Sequence, residues 1–435
     1  MAPEKNNEKK LPDNLTFAAN VAPIIFKNCT PCHRPNMAAP FSLITYNDVM
    51  RKLKTIRLVL VEKYMPPWPA DTTFSRFKDE KILTSQELEI LLGWIDSGAE
   101  AGDLNSVKFT ADTSNHSALG KPDLVVNFMD SIRILGSGKD NFFAVKIPFE
   151  VPEDKYIKAI EFVPGNRKLV HHVNGHLINY EAAKRTNIFK GKGHVDSEKF
   201  GSMEAYTQLD LANDDGTYPA LSVSAFNFLP GVEPAIYPDG IGSCHLTKKN
   251  AFLLKSIHYG PSAVDTVDFS SINIFYASQV PNRWIKELHL GTLGISSISP
   301  DFVIYADSVC SFETKYTTEE DISVLTINPH MHLLGKTFEA YATTKEGIKI
   351  PLIRINKWDF RWQYFYTFKK MLKIPKGSEI IVKATFDNTV KNVNNPFSPP
   401  KTIFPTGEEM KTTDEMFQFF INYLPYIQGD ENIRL

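Results

Sequence analysis

The segment Ile322-Ser323-Val324-Leu325-Thr326-Ile327-Asn328-Pro329-His330-Met331-His332-Leu333-Leu334-Gly335 reads as a β-strand that ends on two histidines. Its first six residues are rich in apolar and β-branched side chains, the composition of a half-buried pleated surface. Residues i and i+2 of a strand point the same way, so His330 and His332 can share one metal ion. A third donor must come from elsewhere. No histidine follows His332, so a donor further along is a carboxylate or a methionine, or water fills the place. Imidazoles alone suit zinc, copper, iron or nickel; a thioether selects copper.

Similar runs lie on both sides. They include Leu124-Val125-Val126, Phe143 to Ile147, Ile157 to Val163, Ile272 to Tyr276 and Ile380 to Phe386, separated by turn residues. This spacing predicts antiparallel sandwiches. Roughly 310 residues are too many for one small sandwich, so a division near 285 is expected. Before about residue 100 the pattern is helical. Asn47 is expected to cap a helix to about Lys63, which Pro66-Pro67 ends. Thr84 with Glu87 forms a capping box, followed by Leu88, Leu91, Leu92 and Ile95 at helical spacing. Gly98 stands where a helix end favours a left-handed residue. The expected organisation is a flexible tail (1–14), a small all-α domain (15–102), a linker (103–121) and two all-β domains (122–285 and 286–435).

The 435 residues carry 48 Lys+Arg against 50 Asp+Glu, a net charge of −2. That balance gives no support to a nucleic-acid partner. No apolar stretch approaches the ~18–20 residues of a membrane-spanning helix. Four cysteines exclude a disulfide-stapled scaffold. Two of the four lie in one motif, so Cys244 and Cys310 can form at most one bridge. The N-terminus is polar and has no signal-peptide core, and reads as a mature or re-engineered start.

Cys29-Thr30-Pro31-Cys32-His33 is C-x-x-C-H. Its two thiols can add to haem vinyl groups while His33 ligates the iron, giving covalent haem c. A zinc half-site would need a second ligand pair, and a redox C-x-x-C belongs to an α/β domain. The sixth iron ligand is sought among Met37, Met50 and Met65. Met37 is too near His33, and Met50 falls on a helix and reads as core. Met65 sits in the stiff loop Tyr64-Met65-Pro66-Pro67-Trp68-Pro69 and is the chosen ligand. The segment resembles the small cytochrome c domains fused to bacterial redox enzymes, through Cys29 to His33, Ala39-Pro40-Phe41, Met65 to Trp68 and Leu91 to Ala99.

Two further histidine clusters precede His330. One is His171-His172 with His176; the other joins Cys244-His245 to Ile257-His258-Tyr259. Adjacent residues diverge on a regular strand, so His171 and His172 can share a metal only at a bulge or strand end. His258 follows an apolar strand and can close a three-imidazole site. His176 and His245 read as surface or hydrogen-bonding residues, and His116, His194 and His289 as structural or solvated.

Residues from about 122 to 430 resemble the copper type II, ascorbate-dependent monooxygenases, the peptidylglycine α-hydroxylating and dopamine β-monooxygenases and their bacterial relatives. The likeness lies in Val170-His171-His172, Ile257-His258-Tyr259, Pro329 to Lys336 and Asp414-Glu415-Met416. It implies two jelly-roll-like domains, with an electron-transfer copper on His171, His172 and His258. It implies an oxygen-binding copper on His330, His332 and Met416. The fusion of a haem domain to this unit suggests that the haem passes electrons from an external donor to the His171/His172/His258 copper, replacing or supplementing ascorbate. The peptide-hydroxylating enzymes place Arg two residues before the His pair, and Asn and Tyr two and four residues after the Met. Here those positions are Asn328, Gln418 and Phe420, which argues against peptidylglycine as substrate. The expected activity is hydroxylation of a C–H bond of a small organic molecule by O2. Phe417, Phe419 and Phe420 suggest an apolar or aromatic substrate. The alternatives are a non-catalytic haem and copper electron-transfer protein serving a partner oxidoreductase, and oxidative dealkylation or peroxide chemistry on the same scaffold. Haem attachment and copper loading point to the periplasm or outer surface of a bacterium, with the signal segment absent from this chain.

Overall fold

The computed structural model describes residues 14–109, 117, 119–405 and 413–435. The expected tail, apart from Asn14, lies outside them, as do His116 and much of the expected linker. The described residues of Met1–Trp68 and Glu80–Asn115 form one unit, and those of Pro69–Asp79 and His116–Leu435 a second.

The first unit is helical. A π-helical turn, Phe17–Val21, leads into helices Ala22–Asn28, Tyr46–Arg51, Leu53–Val61 and Ser85–Asp96. Thr84 and Glu87 form the expected capping box, and Gly98 has φ +103 at the helix end. The Asn47 expectation is corrected. Thr45 is the cap, its hydroxyl accepting from the Asp48 amide while the Asp48 carboxylate accepts from Thr45 N. The helix also breaks at Lys52, so what reads as one helix is two. Leu91 and Trp94 are buried beside Phe17, Ile25, Leu43 and Leu60, and Met50 packs on this core as expected.

The second unit is built of strands. Six of the runs named above lie within strands of the structure. Strands Leu124–Asn127, Ser271–Tyr276, Lys155–Val163 and His245–Leu246 make one sheet. Strands His194–Asp196, Asn141–Glu150, Lys249–Tyr259, Val170–Tyr180 and Leu221–Phe228 make a second. Ile160, Phe162 and Ile274 of the first sheet meet Ile147, Leu177 and Phe252 of the second in one core. The remaining chain repeats the plan. Lys286–Gly291, Gln418–Pro425, Ile322–His330 and Tyr366–Ile374 form a four-stranded sheet. Its partner holds Ile298–Ser299, Val309–Thr317, Glu379–Asp387, Gly335–Thr343 and Lys349–Ile355. Phe338 lies 6.0 Å from Phe417 and 5.7 Å from Phe419 between these sheets. All four cysteines are free, so Cys244 and Cys310 are not bridged.

One excursion has no signature in the helical reading of 15–102. Residues Pro69–Asp79 belong to the β unit. Ala70 bridges to Ile355 and Phe77 to Phe368, and the fully buried Phe77 ring lies 5.0 Å from that of Tyr366.

The last turn of the chain is tied to the same sheet. Asp430, 3 % exposed, accepts 2.7 Å bonds from both Arg283 terminal nitrogens and a 2.6 Å bond from Ser323. Burial would raise its pKa, but these bonds and the Arg283 charge hold it down to about 2. A depressed carboxylate pKa gives stability that is complete above the unfolded value and lost as pH falls through the folded one. Asp430→Asn, which leaves Arg283 unpaired, is expected to cost roughly 2–4 kcal/mol at neutral pH. Chemical denaturation at neutral pH, repeated in acid, reads both: the deficit should shrink as the wild-type carboxylate is protonated.

Candidate metal centres

The first cluster is assembled by an irregularity in strand pairing. In the ladder between Val170–Tyr180 and Lys249–Tyr259, His258 faces His172, but Tyr259 faces Val170. His171 is therefore the extra residue of a bulge, which turns its side chain off the regular alternation. The sequence condition for His171 and His172 to converge is thus met. The His171 and His172 rings lie 4.9 and 4.8 Å from that of His258. A Cβ at Gly260 would collide with the His171 ring, so the glycine after Tyr259 makes room for that imidazole.

Asp140, which the sequence reading missed, completes the cluster. His258 Nε2 lies 2.8 Å from Asp140 Oδ1, and His258 Nδ1 lies 3.3 Å from His172 Nδ1. The carboxylate can only accept, so it fixes the proton on Nε2 and leaves the Nδ1 lone pair turned to His172. Donor atoms of Asp140, His171 and His258 also lie within 4.8 Å of one another. If this cluster holds a metal ion, Asp140→Ala is expected to weaken its binding by roughly 10–100-fold, the usual effect of removing such a carboxylate. Competition with a chromophoric chelator measures it.

The second cluster is tighter. His330 Nε2 and His332 Nε2 are 3.2 Å apart. Two nitrogens bound at about 2.0 Å to one tetrahedral ion stand about 3.3 Å apart. A direct hydrogen bond between the two nitrogens is excluded by the other ends of the rings. His332 Nδ1 donates to the Asp414 carbonyl at 2.6 Å. His330 Nδ1 meets Gln363 Oε1 at 2.7 Å, and the Gln363 amide is oriented by its own donation to the Phe360 carbonyl at 2.9 Å. Both ring protons are spent on carbonyl oxygens, so two lone pairs converge on one point. A cation fits there. Burial lowers the pKa of His330 to about 3 and of His332 to about 4, keeping both imidazoles neutral, as metal ligands must be.

Met416 lies just before the strand Gln418–Pro425 rather than within it. His330 pairs with Gln418, and the buried Glu415 carboxyl accepts the His332 and Leu334 amides at 3.0 and 2.7 Å. These contacts bring the Asp414–Met416 backbone beside the histidine pair, and Met416 is 6 % exposed. The expectation for the phenylalanines is corrected. Phe417 and Phe419 are fully buried between the sheets, because alternate residues of a strand face opposite sides. Only Phe420 shares the face of His330, and it stacks on His289 at 4.3 Å. Phe417 and Phe419 therefore do not line a substrate pocket at the histidine pair. The Asn328 and Gln418 amides donate to the Tyr364 and Thr292 carbonyls, each at 2.9 Å.

In the helical unit, Cys29 caps the helix Ala22–Asn28, and the His33 amide donates to the Cys29 carbonyl at 2.8 Å. His33 Nδ1 lies 3.1 Å from the Phe41 carbonyl, which places the proton there and leaves Nε2 as the donor atom. Met65 follows the helix Leu53–Val61, its amide donating to the Val59 carbonyl. Of the other histidines, His176 Nδ1 meets the Ser222 carbonyl at 3.0 Å, His194 lies edge-on to Phe143, and exposed His245 lies near Trp284.

Residues 287–431 match the family model described as copper type II ascorbate-dependent monooxygenase, C-terminal domain. The match supports that family, with copper as the metal, O2 and a small molecule as reactants, and an oxidoreductase activity. No curated protein matches the chain. Among solved structures, one titled "Structure of allantoicase" is 7 % identical over 57 % of this chain and 77 % of its own, with a TM-score of 0.15. Another, "Structure of infectious bursal disease virus Gt strain", is 9 % identical over 72 % and 75 %, with a TM-score of 0.18. Neither likeness bears on fold or function. No helix among the described residues is long and apolar enough to cross a membrane.

Proposed function

We propose that this chain is a copper-dependent monooxygenase that hydroxylates a C–H bond of a small organic substrate, with electrons supplied through haem c in its helical unit. The observation that carries the reading is the pair of converging, protonless Nε2 atoms of His330 and His332, inside the segment that matches the family. His330, His332 and Met416 would hold the copper that meets O2, and His171, His172 and His258 a second copper. Cys29 and Cys32 would bind haem covalently, with His33 and Met65 on the iron. Bound copper would supply the one-electron chemistry that activates O2, and haem a relay from an external donor, with ascorbate a candidate reductant.

The chain's own residues do the positioning. Gln363 and the Asp414 carbonyl hold His330 and His332 in the Nδ1–H form, and Asp140 does the equivalent for His258. Asn328 and Gln418 are tied to backbone carbonyls and Phe420 to His289. No cation stands at these three positions to clamp a substrate carboxylate, which supports the reading against peptidylglycine. Covalent haem and copper together support a bacterial exported or periplasmic location.

The test is metal analysis followed by oxygen uptake. Protein matured with haem and dialysed against copper should hold one iron and two coppers, and consume O2 in a substrate-dependent way. Two coppers and one iron without uptake across a broad substrate screen would favour the non-catalytic electron-transfer reading. No tightly held copper would end both.

A further inference from the structure

Between the two histidine clusters stands one side chain that neither uses as a ligand. The Phe360 ring centroid lies 5.8 Å from that of His172, at 86°, and 6.2 Å from that of His258. It lies 5.7 Å from that of His332, again at 86°. The same phenyl ring thus touches imidazoles of both clusters. His172 and His332 can be no further apart than the sum of its two contacts.

The segment that carries Phe360 is pinned on both flanks to the second cluster. Trp358 Nε1 donates to the His332 carbonyl at 3.1 Å, and the Trp358 amide donates to the Lys336 carbonyl at 2.9 Å. Gln363 accepts from His330 and donates to the carbonyl of Phe360 itself. Asp359 pairs with Arg361, and the Trp362 amide closes the turn on the Asp359 carbonyl at 2.9 Å. A segment without regular secondary structure is held by five of its own residues, with Phe360 between them.

We propose that Phe360 is a positioning residue for both centres: its ring sets the distance between the His171/His172/His258 and His330/His332 clusters and keeps water out of the line between them. The geometry favours this over simple core filling. The ring is half-buried rather than central to a sandwich, and it makes an edge-on contact with one candidate ligand of each cluster. An aromatic edge against an imidazole face is a specific and favourable geometry.

The proposal rests on the two-copper reading, and its test separates the two. Wild type, Phe360→Ala, Phe360→Leu and Phe360→Tyr are loaded with copper(II), counted by elemental analysis and examined by pulsed electron paramagnetic resonance. Dipolar splitting between two copper spins falls with the inverse cube of their separation. Wild type and Phe360→Tyr are expected to show one narrow splitting. Phe360→Ala and Phe360→Leu are expected to keep two coppers but lose the resolved splitting to a broad distribution. If Phe360→Ala does not fold, Phe360→Leu decides, since it retains volume without the flat ring. Two coppers with a wild-type splitting in the Leu or Ala variant would overturn the role of Phe360 alone. A wild type that binds fewer than two coppers would overturn the underlying reading, and the proposal with it.

Discussion

Copper-loaded His332→Ala is expected to hold one copper per chain instead of two, with oxygen-dependent turnover lost. The effect is near all-or-none because the site is built from few parts. His330 and His332 bring lone pairs to 3.2 Å, and neither ring can turn away. The Asp414 carbonyl holds one and Gln363 the other. Removing one imidazole leaves a single fixed nitrogen and the Met416 thioether, too few for a tight site. Gln363→Leu makes the finer point. It leaves every proposed ligand in place but removes the acceptor that sets the His330 tautomer, and roughly 10–100-fold weaker binding is expected. Met331→Leu is the control. Met331 lies between the two histidines in sequence but is fully buried, so a same-sized apolar replacement should leave the copper count at two. Elemental analysis with chelator competition reads all three. Retention of two coppers in His332→Ala would remove the second centre as assigned.

Some of this was legible in the chain and some was not, for physical reasons. The pair at 330 and 332 follows from the two-residue period of a strand, which needs no tertiary knowledge. Convergence of His171 and His172 was legible only as a condition, a bulge, because bulges leave no mark in hydrophobic alternation; the register slip at Tyr259 and Val170 supplies it. Asp140 and Gln363 were invisible. They lie 118 and 33 residues from the histidines they orient, and a single carboxylate or amide in a loop carries no pattern. Phe360 was hidden for the same reason. Composition alone does not show that Phe417 and Phe419 turn away from the histidines; the two-residue alternation of a strand does. Thr45 and Asn47 are both good caps by residue type, and the structure decides for Thr45 through Asp48, whose carboxylate completes the reciprocal pair. The Pro69–Asp79 excursion could not be inferred, because its isolated bridges to Ile355 and Phe368 join residues 285 and 291 positions apart.

The second large effect concerns haem. In wild type matured with haem, a covalent adduct is expected that survives denaturation and acid–acetone extraction. Cys29→Ser with Cys32→Ser should abolish it entirely. Both thiols are free, and they flank a turn in which the amides of Cys32 and His33 return to the Cys29 carbonyl. That turn holds both sulfurs and the imidazole in one short arc. The Phe41 carbonyl takes the Nδ1 proton of His33 at 3.1 Å, so Nε2 is left for iron without a further proton to lose. Burial lowers the His33 pKa, which keeps the ring neutral as a ligand. Met65→Ala separates attachment from ligation. The haem should remain covalent, but an open sixth position should let the ferrous form bind carbon monoxide and lower its reduction potential, because a thioether opposite histidine raises it. Carbon monoxide binding equal in wild type and Met65→Ala would show that Met65 is not the ligand, while the attachment argument stands. Failure of wild type to hold haem under conditions that mature other C-x-x-C-H chains would remove both. Cys29 and Cys32 would then be thiols with no second ligand pair in the sequence to complete a zinc site, and the electron path into the copper unit would have to begin at an external donor.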